Sequence, residues 1–240
     1  CSQCGTAGWQ AGWRVLPGGR KENDPNLDLK SILESVMLLS VPILWAVTIH
    51  EYAHAWAAVR AGDPTPKDHG RLTLNPLAHL DPIGTLCFVI MRFGWAKPVP
   101  VNPYNFRNLR RDNIVVSIAG IVMNLVTAIT AALILRGILA AGYVPSSMVG
   151  ELLLSWLFPS VQLNLALAVF NLLPISPLDG SHIVETFVPY RYQAAWAAYA
   201  RHGQFVLIGL ILIGRIGGVS ILGRIIWGVV DPAMDILLGG

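Results

Sequence analysis

The sequence predicts an all-α polytopic membrane protein with about four transmembrane helices and a re-entrant or short-strand segment between the first two. Three observations carry this. Of the 240 residues, 54% are hydrophobic and only 13% are charged, against about 25% charged in an average soluble domain, which leaves too little polar surface to cover a globule. Mean hydropathy is +0.55. Apolar runs of roughly 20 residues, the length that crosses a hydrocarbon core of about 30 Å, recur four times. The formal charge of +3 is small and dispersed, which argues against a nucleic-acid partner and leaves the lipid bilayer as the partner implied by composition. Three cysteines cannot build a disulfide framework.

Residues 1–30 are polar and rich in Gly, Asn and Pro and read as a flexible leader; residues 31–240 read as one membrane-embedded domain. Cys1-Ser-Gln-Cys4 is half of a zinc-ribbon pattern with no second pair. The first apolar run, residues 32–59, carries Glu34, His50, Glu51 and His54. A different texture follows. Residues 71–74 and 97–101 alternate polar and apolar side chains between prolines and glycines and are expected to be short strands or extended segments. The apolar run between them, residues 83–91, is too short to span and is expected to re-enter. The second long run, 113–139, has Asn124 in its middle; the third, 149–173, ends in Asn171-Leu-Leu-Pro. The fourth, 204–230, contains several glycines, which suit close helix packing, together with Arg215 and Arg224.

Chargeable side chains in a spanning helix are costly and mark function. His50-Glu51-Tyr52-Ala53-His54 matches H-E-x-x-H. Positions i and i+4 share a helical face, so both imidazoles can reach one tetrahedral ion, with Glu51 beside them to take a proton from the attacking water. A catalytic zinc site normally has three protein ligands. The best third candidate is Asp179, in Asn171-Leu-Leu-Pro-Ile-Ser-Pro-Leu-Asp-Gly180, where prolines and glycine bring irregular backbone to membrane depth. Asn124 and Asn171 could hold substrate backbone or a developing oxyanion, or hydrogen-bond between helices. His69, His79, His182 and His202 read as solvated or capping loop histidines.

The pairing of H-E-x-x-H in an early membrane helix with N-x-x-P-x-x-x-L-D-G after a later one resembles the site-2 protease family of intramembrane zinc metalloproteases, and residues 70–81 and 94–103 resemble its compact prokaryotic branch. The resemblance implies Zn2+ held by His50, His54 and Asp179, with Glu51 as general base and acid. It also implies hydrolysis of peptide bonds within or next to a transmembrane helix of a membrane-protein substrate. A rival reading is an ion or proton transporter, with His50, Glu51, His54 and Asp179 as its pathway. Helix parity bears on the third ligand: if residues 83–91 re-enter, Asp179 emerges on the side where the first helix exits. That side also holds most basic loop residues, Lys67, Arg71, Arg107, Arg110 and Arg111 among them, so the positive-inside rule makes it cytoplasmic in a prokaryotic cell membrane.

Overall fold

The computed structural model describes residues 29–91, 94–142, 147–216 and 220–239. Most of the polar leader, with Cys1 and Cys4, lies outside them. Eight α-helices order the described chain: α1 (Leu29–Ala61), α2 (Thr65–Asp68), α3 (Pro82–Met91), α4 (Leu109–Ala140), α5 (Met148–Asn171), α6 (Asp179–Phe187), α7 (Gln193–Ile216) and α8 (Ile221–Leu238).

Local chemistry sets the helix ends. Asn108 caps α4 by accepting from the Arg111 N–H at 3.0 Å, and Asp112 reaches back to accept from the Asn108 N–H at 2.9 Å. Two donors that the first turn would leave unpaired are thus satisfied reciprocally. Ser147 caps α5 and Ser220 caps α8 in the same manner. Packing then rests on small residues: Ala128, Ala131 and Ala132 of α4 meet Val161 and Leu165 of α5 and Val230 and Met234 of α8. Alanines let helix axes approach where lipid supplies no hydrophobic drive. Larger apolar side chains such as Leu133 and Phe205 point outward, each 63% exposed, as a lipid-facing surface requires.

The helices run antiparallel in sequence order. His54 meets Val116 and Ala46 meets Asn124, which reverses α4 against α1; Asn124 meets Asn164, and Asn113 near the start of α4 meets His182 soon after the end of α5, which reverses α5 against α4. Among the described residues three segments are long and apolar enough to cross a membrane: Leu109–Ala140, Met148–Asn171 and Tyr190–Gly214. Of the four expected runs, the last is corrected. α1, which carries the first expected run, is not among these three. The run 204–230 is not one helix but the end of α7 and the start of α8, with Ser220 capping the new helix.

Residues 62–108 leave α1 and return to the same end of it, because the Arg107 N–H donates to the Ala61 carbonyl at 3.0 Å. Asp63 ties the loop shut: it accepts from both the N–H and the hydroxyl of Thr65, from the Asn102 N–H and from the Asn105 amide. Burial works against its charge, but these hydrogen bonds outweigh the burial and hold the carboxyl below the ordinary aspartate range. The expected short strands do not form. Among the described residues the one β-pairing is an isolated antiparallel bridge, Leu80 to Ala96. Pro98 and Pro100 have no N–H to give a ladder, and the Val99 N–H between them is committed elsewhere. His79 is no solvated histidine either: it is fully buried, with Nε2 donating to the Thr73 carbonyl at 2.9 Å. Beside it, Arg71 donates to the Ala78 carbonyl.

Candidate metal centre

His50 and His54 lie one turn apart on the buried face of α1. Their ring centroids are 4.6 Å apart with planes crossed at 83°. Each Nδ1 is taken by an oxygen from α4: His50 Nδ1 donates to Asn124 Oδ1 at 2.6 Å and His54 Nδ1 to the Val116 carbonyl at 2.7 Å. A neutral imidazole that donates from Nδ1 carries its lone pair on Nε2. Both Nε2 atoms face one point, 3.1 Å apart.

Asp179 completes the cluster. Its Oδ2 lies 3.3 Å from His50 Nε2 and 3.2 Å from His54 Nε2. The chain reaches this place because Gly180 has no side chain: a Cβ there would run into the carbonyls of Leu172 and Leu173. The start of α6 can therefore fold back against the end of α5, with Leu178 buried against Leu207 and Leu222.

The three donor atoms form a nearly equilateral triangle. Around a tetrahedral zinc with ligand distances of about 2.0–2.2 Å, donors sit roughly 3.3–3.5 Å from one another. The observed edges approach that spacing, and the buried Asp179 Oδ2 has no hydrogen-bond donor of its own. Three lone-pair atoms facing one another need a cation between them, so the donor set fits zinc. His50, His54 and Asp179 are the one such group among the described residues.

Glu51 stands beside this triangle and is half-buried. Its Oε2 accepts the Val99 N–H at 3.1 Å, which is where the N–H between the two prolines goes. Gly120 covers the imidazoles from α4. A Cβ on it would lie 2.5 Å from His54 Nε2 and 2.6 Å from His50 Cε1, so only glycine lets α4 lie this close.

Both expected asparagines are engaged within the protein. Asn124 is fully buried, and besides holding His50 it donates to the Ala46 carbonyl at 3.1 Å and to Asn164 Oδ1 at 2.8 Å. Its amide hydrogens are both used, so none faces a substrate. Asn171 Nδ2 donates to the Leu167 carbonyl one turn back, at 3.0 Å. Sequence reasoning missed Asn164 and the Val116 carbonyl. An amide deep in a spanning helix could have singled out Asn164; a backbone carbonyl leaves no mark in a sequence.

Comparison with known proteins accords with this geometry. The profile of peptidase family M50 matches residues 137–213, which include Asp179. "Putative zinc metalloprotease YwhC" of Bacillus subtilis is 36% identical over 200 residues, covering 83% of this chain and 89% of that protein. The chain belongs to peptidase family M50. Rip2 of Mycolicibacterium smegmatis, which bears the same description, is 31% identical over 176 residues, 70% of this chain and 64% of that protein. No solved structure is a significant match. This M50 peptidase is an intramembrane zinc metalloprotease, and its cofactor is Zn2+. The transporter reading finds no support, and donor atoms gathered within 3.3 Å form a cluster, not a pathway strung across a bilayer.

Proposed function

We propose that this M50 peptidase cuts membrane-protein substrates within or next to a transmembrane helix, with His50, His54 and Asp179 as zinc ligands and Glu51 as general base and acid. The convergence of three donor atoms beside the Glu51 carboxylate, which the Val99 N–H holds in place, carries this reading. Bound zinc supplies Lewis acidity, polarising the scissile carbonyl and lowering the pKa of water. Glu51 accepts the proton of the attacking water on the oxygen that Val99 leaves free, and returns it to the amine nitrogen as the C–N bond breaks. The Val99 N–H fixes the rotamer of that carboxylate.

Residues 31–240 act as one domain in this proposal. α1 is the fourth span beside α4, α5 and α7, and α3, ten residues and about 15 Å long, dips into the membrane and returns. The metal centre lies at the end of α1 near Lys67, Arg107, Arg110 and Arg111, which makes it the cytoplasmic side.

A peptide bond in a transmembrane helix is shielded by its own turns, and its backbone must find new partners when the helix opens. Residues 97–101 supply them. Pro98 and Pro100 bar this segment from a helix, it is tied by its Val99 N–H to Glu51, and its remaining polar backbone can accept an unwound substrate as an added strand. Val99→Gly with Val101→Gly is expected to slow cleavage of a reporter with an intact helix at least about tenfold more than cleavage of one loosened by Gly or Pro, at constant zinc content. Equal losses on both reporters would reject this segment as the presenting edge.

A further inference from the structure

The fully buried Asn164 touches no ligand of the proposed zinc site and lies on α5, a helix that holds none of the H-E-x-x-H residues. A single line of hydrogen bonds nevertheless runs from it to the metal centre. Asn164 Nδ2 donates to the Ser160 carbonyl at 2.8 Å; Asn164 Oδ1 accepts from Asn124 Nδ2 at 2.8 Å; Asn124 Oδ1 accepts from His50 Nδ1 at 2.6 Å.

The direction of this line is forced from its ends. A main-chain carbonyl only accepts, so Ser160 compels Asn164 to turn its amide nitrogen inward along α5 and its oxygen toward α4. That oxygen compels Asn124 to offer nitrogen, as the Ala46 carbonyl does from α1. Asn124 is then left with oxygen toward His50, and His50 must donate from Nδ1 and keep its Nε2 lone pair for a metal. A flip of the Asn124 amide would set oxygen against oxygen at both Ala46 and Asn164 and nitrogen against the donating Nδ1. Buried from water, such mismatches are not relieved by solvent.

We infer that Asn164 is a positioning residue for zinc binding, fixing through Asn124 which nitrogen of His50 is offered to the metal. The inference rests on the assignment of His50 as a zinc ligand. Outer partners of ligating histidines typically govern metal affinity by 10–100-fold, and Asn164 shares that duty with Ala46, so the effect belongs at the low end.

The test is zinc affinity of the detergent-purified full chain, by competition with a chromophoric chelator, with the visible spectrum of the cobalt-substituted protein as a report on ligand geometry. Asn164→Leu, which removes the acceptor at similar volume, is expected to bind zinc about tenfold more weakly and to alter the cobalt spectrum. Asn164→Asp keeps an acceptor toward Asn124 and, as the acid, an O–H toward Ser160, and is expected to stay close to wild type. Wild-type zinc affinity and cobalt spectrum in Asn164→Leu would overturn the inference. So would equal zinc loss in both variants in step with thermal unfolding of the zinc-free proteins, because that marks a packing role. Should Asn164→Leu fail to fold, Asn164→Ser decides the matter, since its shorter side chain withdraws the acceptor without adding bulk. Zinc binding that is indifferent to His50→Ala would instead bring down the ligand assignment.

Discussion

Glu51→Gln is expected to leave zinc bound and to cut cleavage of a membrane-embedded reporter by about 100-fold to 10,000-fold, the range of general acid–base catalysis. The amide matches the carboxylate in size and can still accept the Val99 N–H, and it touches neither of the hydrogen bonds that orient His50 and His54. What it lacks is basicity. It cannot take the proton from water or hand it to the leaving amine, so the loss falls on turnover and not on metal content. Undiminished proteolysis with zinc in place would remove Glu51 from the chemistry.

Gly120→Ala is expected to do the opposite and strip the metal. Its Cβ would stand 2.5–2.7 Å from both imidazoles, closer than any carbon packs against a ring, so α4 must withdraw or the rings must turn. Either movement stretches the bonds from Asn124 and Val116 that aim the two Nε2 atoms. Zinc affinity is expected to fall by at least about 100-fold, combining the loss of two outer-shell contacts, with cleavage falling alongside. α4 keeps its packing through Ala128, Ala131 and Ala132 toward α5 and α8, about two turns or more from Gly120, besides that of Val116 against α1, so the helix itself should persist. Full zinc content measured by mass spectrometry of the variant's metal would show that α4 does not set the ring positions.

The centre was legible in the sequence because its chemistry is local: i and i+4 histidines must share a face, and an acid before a glycine in helix-breaking backbone has few structural uses at membrane depth. The helix-breaking surroundings of Asp179 single it out as the third candidate, with the count of helix directions as support, and its Oδ2 lies 3.2–3.3 Å from the two histidine nitrogens. What escaped notice depends on contacts across helices. The role of Asn124 is a case in point: the sequence shows an amide that needs partners, but only the packing reveals that His50, Ala46 and Asn164 consume them all. Residues 97–101 alternate as a strand does, yet alternation says nothing of whether a neighbour exists, and here the available N–H turns to Glu51. The run 204–230 misled for a different reason. Hydropathy averaged over glycines does not register the break marked by Ser220, which caps a new helix.

Zinc per protein in Asp179→Asn, against wild type after the same chelator challenge, tests the three-ligand centre most directly. The substitution keeps the shape of the side chain and removes its anionic donor, whose Oδ2 lies 3.2–3.3 Å from both histidine nitrogens. The wild-type chain is expected to retain one zinc and Asp179→Asn to lose most of it, with affinity lowered beyond the roughly 10–100-fold that an outer contact costs and cleavage lowered with it. Stoichiometric zinc and normal turnover in Asp179→Asn would contradict the account and send the third ligand elsewhere.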